Sequence, residues 1–91
     1  MKWMELIRVR SNPVSLERAL PHVQQHLHQI EWSEPVETFF LRHALYDGDL
    51  AVVVVWRNDE TPHKTRAGLM LAHDLGRLGS VDHAVWIPAS L

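Results

Sequence analysis

Two apolar runs, Val36-Glu37-Thr38-Phe39-Phe40-Leu41-Arg42-His43-Ala44-Leu45 and Leu50-Ala51-Val52-Val53-Val54-Val55-Trp56, flank Tyr46-Asp47-Gly48-Asp49. Asp-Gly between apolar runs signals a β-hairpin, because a two-residue type I′ turn needs positive φ at both central positions. A turn on Asp47-Gly48 pairs Tyr46 with Asp49, Leu45 with Leu50, His43 with Val52, Leu41 with Val54 and Phe39 with Trp56. This register puts Phe39, Leu41, His43, Leu45, Leu50, Val52, Val54 and Trp56 on one face, expected to lie under helices. The other face carries Thr38, Phe40, Arg42, Ala44, Tyr46, Asp49, Ala51, Val53 and Val55. It is too apolar around Phe40, Val53 and Val55 to meet water alone, so a second covering layer is expected.

Before the hairpin, Trp3 to Arg10 alternates as a strand, with Trp3, Ile7 and Val9 on one side and Met4 and Leu6 on the other. Ser11-Asn12-Pro13 breaks it. Val14 to Ile30 has helical spacing, with Leu16, Ala19, Leu20, Val23, Leu27 and Ile30 on one stripe. Ser11 or Ser15 is expected to cap this helix. Pro21 lies inside it, and the expected result is a continuous but bent helix. Glu31 to Pro35 reads as a linker. After the hairpin, Thr61-Pro62 reads as the cap and first position of a second helix, with Ala67, Met70, Leu71, Leu75 and Leu78 inward and Gly79 beyond its end. Val81 to Ile87 alternates as the last strand. The order β-α-β-β-α-β predicts a ferredoxin-like α+β fold, an antiparallel four-stranded sheet with two helices on one face. Right-handed crossovers place the first and third strands centrally.

The 91 residues make one domain, 1–91, with 46% apolar and 22% charged residues, no cysteine and a net charge of −2. Disulfides and thiolate metal sites are thereby excluded. The charge balance argues against a nucleic-acid partner. No apolar run approaches the roughly 20 residues of a membrane span, and Met1-Lys2-Trp3-Met4-Glu5 lacks the apolar core of a signal peptide. A cytoplasmic protein of bacterial type is expected. A small domain without cross-links commonly gains stability by oligomerising, and a second copy is the simplest cover for the mixed sheet face, so a homodimer through the sheet faces is expected.

Element order, length and the mixed sheet face make nearly the whole chain resemble the dimeric α+β barrel group of ferredoxin-like proteins. That group includes the antibiotic-biosynthesis-monooxygenase-like domains. The local features that carry the resemblance are Val52-Val53-Val54-Val55-Trp56 and, after a short loop, a second helix with His73. The resemblance implies sheets facing one another in a dimer and, for some members, aromatic substrates or haem beside the second helix. Two departures stand out. Trp32-Ser33-Glu34-Pro35 replaces a glycine-cysteine-type turn, and the first strand has no Asn where haem-degrading relatives carry one, Asn12 lying beyond its end. No cofactor is expected.

The candidate site residues follow from titration range and placement. His43 on the helix-facing side and His73 beside the buried stripe are candidate general bases, since imidazole titrates near neutrality. For both, a structural histidine bonded to its surroundings is the simpler reading; His83 on the last strand is read in the same way. Trp56, Arg42 and Tyr46 are candidate ligand-binding residues, weighed against a purely structural interface role. His22 and His26 have the i, i+4 spacing of zinc ligands, but His22-Val23-Gln24-Gln25-His26 lacks the Glu of the zincin pattern and no metal is expected. Three function classes stay open. They are a small-molecule-binding or structural dimer, a cofactor-independent monooxygenase-like enzyme acting on a small aromatic or apolar substrate, and a regulatory protein-interaction module.

Overall fold

The computed structural model describes residues 1–32 and 37–89. Its strands are β1 (Lys2–Arg10), β2 (Glu37–Arg42), β3 (Asp49–Arg57) and β4 (Ser80–Trp86); its helices are α1 (Pro13–Gln29) and α2 (Arg66–Leu75). The strands form one antiparallel sheet in the order β2-β3-β1-β4. The ferredoxin-like order and the central places of β1 and β3 are those expected. Val36 and the linker residues Ser33-Glu34-Pro35 lie outside the described residues.

One sheet face is closed by the helices. Trp3, Ile7 and Val9 of β1 and Leu50, Val52, Val54 and Trp56 of β3 pack there with Leu16 and Val23 of α1 and Leu71 and Leu75 of α2. Burial of such side chains is worth about 1.5–3 kcal/mol each and supplies most of the drive to fold. The other face carries Met4 and Leu6, Ala51, Val53 and Val55, Phe39 and Leu41, and Ala84 and Trp86, brought together by the strand register. Phe39, Leu41 and Trp86 are exposed there.

The hairpin departs from the expected register. Phe39 pairs with Val53, Phe40 with Val52, Leu41 with Ala51 and Arg42 with Leu50. The connection is the six-residue segment from His43 to Gly48, closed by His43 N–H to the Asp49 carbonyl at 3.2 Å and Asp49 N–H to the Tyr46 carbonyl at 3.2 Å. No glycine has positive φ, so no type I′ turn forms at Asp47-Gly48. Relative to the two-residue turn, each residue of β2 meets a partner three places earlier on β3. An odd shift exchanges the two faces of a strand. Phe39 and Leu41 therefore lie on the open face and Phe40 lies under the helices.

The helix starts also differ. Asn12, not Ser11 or Ser15, caps α1, its side chain accepting from Ser15 N–H at 2.9 Å with Pro13 at the first helical position. Ser11 instead donates its hydroxyl to the Leu78 carbonyl. The helix runs continuously through Pro21. Helix α2 is capped by Thr65 rather than Thr61, the Thr65 hydroxyl accepting from Gly68 N–H at 3.0 Å. It ends at Leu75, with Gly76 as its cap rather than Gly79.

Candidate functional site

Glu5 sits in phase with Trp3, Ile7 and Val9 on the helix-facing side of β1 and is 0% exposed. A charge so placed is costly unless every acceptor position finds a donor. Four donors converge on it. Oε1 accepts from Thr65 N–H at 2.9 Å and from His83 Nε2 at 2.9 Å. Oε2 accepts from Trp56 Nε1–H at 2.9 Å and from the Thr65 hydroxyl at 2.7 Å. Because a carboxylate only accepts, the proton of His83 lies on Nε2 in this contact. The His83 side chain is buried and its Nδ1 has no partner among the described residues.

This carboxylate gathers the end of β3, the start of α2 and the middle of β4. Helix α2 comes so close because residue 68 is glycine; a Cβ there would collide with Glu5 Oε1. The segment between β3 and α2 is pinned at its other end too. Trp3 Nε1–H donates to Asn58 Oδ1 at 2.9 Å, and His63 packs on Trp3 at a centroid distance of 5.4 Å.

Beside this cluster lies a cleft of about 570 Å³. The end of α1 contributes His26, Gln29 and Ile30, followed by Glu31, and the start of α2 contributes Thr65, Arg66, Ala67 and Met70. Trp56 borders the cleft although it is only 3% exposed. Trp3 stacks on Trp56 at 5.7 Å, and Trp32 meets it edge-on at 5.8 Å. His26 is held by Asp74 of α2, Nε2 to Oδ2 at 2.9 Å, a partly exposed pair that ties the two helices together. Volume and lining suit a small ligand: Ile30, Ala67, Met70 and Trp56 are apolar, with imidazole, guanidinium and carboxylate groups among them.

Of the expected site residues, the structure places Trp56 at this cleft. His43 is exposed in the β2–β3 connection, where its Nδ1 accepts from Leu45 N–H at 3.0 Å and Tyr46 N–H at 3.2 Å. The changed register removes it from the helix-covered face. Tyr46 is exposed in the same loop and packs on His43 at 4.8 Å. Arg42 belongs to the helix-facing side of β2 and meets Glu17 of α1 at 3.4 Å, both side chains being well exposed. His73 is exposed on α2, on neither the cleft nor the core. His83, read as a structural histidine bonded to its surroundings, is bonded to Glu5 in the buried cluster. Glu5 was legible in one respect, as a lone acidic residue in step with the buried alternation Trp3-Ile7-Val9. His26 had no sequence signal beyond its spacing from His22. Among the described residues no three His, Asp or Glu side chains gather in a metal-holding arrangement, and no helix is long and apolar enough to cross a membrane.

Solved structures share this shape. Rv0793 from Mycobacterium tuberculosis aligns over 100% of this chain and 98% of its own, with a TM-score of 0.68 and 15% identity. SnoaB, a cofactor-independent oxygenase from Streptomyces nogalater, aligns in a point-mutant form over 99% of this chain and 95% of its own, with a TM-score of 0.60 and 16% identity. A second SnoaB structure gives a TM-score of 0.52 at 15% identity. The likeness establishes the fold: β-α-β-β-α-β with a four-stranded antiparallel sheet and two helices, the ferredoxin-like arrangement. No protein-family model matches the chain, and no curated protein matches it.

Proposed function

We propose that this protein binds a small, largely apolar aromatic molecule in the cleft between the end of α1 and the start of α2. The supporting observation is the cleft itself, about 570 Å³, placed against Trp56 and backed by a buried carboxylate that fixes two of its walls. The test is a titration with 2-naphthol followed through the Met70 methyl and Trp56 indole NMR signals. Both shift on binding, and Met70→Trp, which fills the cleft, abolishes the effect. Shifts confined to residues of the open sheet face contradict the reading.

An enzymatic reading is supported by one further observation. His26 lines the cleft and its Nε2–H is oriented by Asp74, which leaves Nδ1 as the basic nitrogen. A base oriented by a second group is the arrangement proton abstraction requires. Together with the likeness in fold to SnoaB, it supports a cofactor-independent oxygenase that removes a proton from an electron-rich phenol before reaction with oxygen. Incubation of such a phenol under ¹⁸O₂ yields labelled product with the parent protein and none with His26→Ala, whereas His43→Ala and His73→Ala leave the yield unchanged. Labelled product from His26→Ala contradicts this role.

The partner belongs to the same proposal. The open sheet face bears Phe39, Leu41 and Trp86, and a second copy of the chain is the occupant that supplies a matching apolar sheet. The working protein is then a homodimer with a cleft on the outer side of each sheet.

A further inference from the structure

We propose that Glu5 is the positioning residue of the cleft, a buried carboxylate that sets the cleft's shape without touching the ligand. This rests on the reading of the cleft as a ligand site. Glu5 does not line the cleft, but two of its partners do: Trp56 at the end of β3 and Thr65 at the start of α2. These belong to different elements, and the carboxylate bonds to both. One oxygen holds the indole N–H and the Thr65 hydroxyl, and the other holds the Thr65 backbone N–H and His83.

Two consequences define the role. A carboxylate offers about four lone-pair positions, and four donors already occupy them. Glu5 therefore has no acceptor position left for a ligand proton, and it orients rather than reacts. In addition, the single polar side-chain atom of Trp56 is engaged by Glu5, so the indole has only hydrocarbon to offer the cleft. The wall at Trp56 then selects an apolar ring edge, while any polar group of the ligand lies toward His26, Arg66 or Glu31. Gly68 is the permissive element, because any side chain there would displace the carboxylate.

Gly68→Ala tests this without removing any bonding group and without altering a cleft residue. Ala72→Gly, one turn further along the same helix and not a cleft residue, controls for general loss of stability. Three quantities are read in each protein: the 2-naphthol dissociation constant, the chemical shift of the Trp56 Nε1–H and the thermal midpoint. In Gly68→Ala the Trp56 signal moves upfield in the ligand-free protein and 2-naphthol binds at least tenfold more weakly. In Ala72→Gly the signal stays in place and binding changes by less than twofold. Glu5→Gln, which keeps the size and loses the charge, behaves like Gly68→Ala. If neither variant folds, hydrogen exchange at Trp56 Nε1–H in the parent protein takes their place, and exchange as fast as at Trp86 overturns the proposal. So does an unchanged Trp56 signal in Gly68→Ala, or equal weakening in Ala72→Gly. If 2-naphthol does not bind the parent protein while the Trp56 signal still moves in Gly68→Ala, the carboxylate latch stands, and both the cleft reading and the ligand role of Glu5 fall.

Discussion

A carboxylate with no exposed surface, held by four donors, makes Glu5 costly to remove from the core. Truncation leaves the donors of Trp56, Thr65 and His83 buried and unmatched, and breaking a buried charged network costs about 3–5 kcal/mol. Glu5→Ala should lower the stability measured by urea unfolding by that amount, with an unchanged m-value; a loss below 1 kcal/mol would show that water satisfies these groups instead. Thr65 carries two duties, capping α2 through Gly68 N–H and donating to Glu5. Thr65→Ser keeps both and should be close to neutral, whereas Thr65→Val should cost more than the ~1 kcal/mol typical of a lost cap. How much of this was legible depends on the residue. An acidic side chain in step with Trp3, Ile7 and Val9 is visible in the sequence. Its partners are not, because Trp56, Thr65 and His83 lie 51, 60 and 78 positions away, and only the folded topology brings them together.

At the level of elements, the sequence was most informative where one pattern had one physical solution. The run from Leu50 to Trp56 is apolar at every position, as a central place in the sheet predicts, and β3 is central. Strand β2 is apolar on both of its sides, through Phe39 and Leu41 on one and Phe40 on the other, so periodicity does not choose its register. The Asp-Gly signal points to a tight turn, yet Gly48 has another use. Its carbonyl accepts from Ser11 N–H at 2.8 Å, and a Cβ at Gly48 would run into the Ser11 carbonyl. Gly48→Ala should therefore destabilise by about 1–3 kcal/mol through overpacking, even though the backbone there is open to any residue, and thermal unfolding checks this. The second helix was expected four residues too early, because Thr61-Pro62 has the form of a helix start. The bonds to Glu5 and Gly68 make Thr65 the cap instead. In α1, Pro21 sits in the helix interior and is exposed. Pro21→Ala should stabilise the protein by about 2 kcal/mol, the ~3 kcal/mol helix penalty of proline less the ~1 kcal/mol that proline saves by restricting the unfolded chain. No gain would mean that a neighbouring group depends on the carbonyl freed by Pro21.

For the whole molecule, two surfaces compete for an apolar partner: the cleft beside Trp56 and the open sheet face bearing Phe39, Leu41 and Trp86. The expectation of a second covering layer came from Phe40, Val53 and Val55; Val53 and Val55 do lie on that face, whereas Phe40 lies under the helices. The residues beside them differ, since the true register replaces Thr38, Phe40 and Arg42 with Phe39 and Leu41 and makes the face more apolar. With a second copy covering it, Leu41→Glu should convert a dimer to a monomer in sedimentation velocity while leaving the cleft's affinity intact; a parent protein that sediments as a monomer at micromolar concentration contradicts the pairing. The four tryptophans report on both surfaces at once, because Trp56 borders the cleft and Trp86 stands 55% exposed on the open face. A titration of the ¹⁵N-labelled protein with 2-naphthol, read at the four indole N–H signals, therefore tests the central claim most directly. The predicted result is a saturable shift of the Trp56 signal with Trp86 unmoved. A shift of Trp86 with Trp56 unmoved would place the ligand on the sheet and contradict the cleft as the functional site.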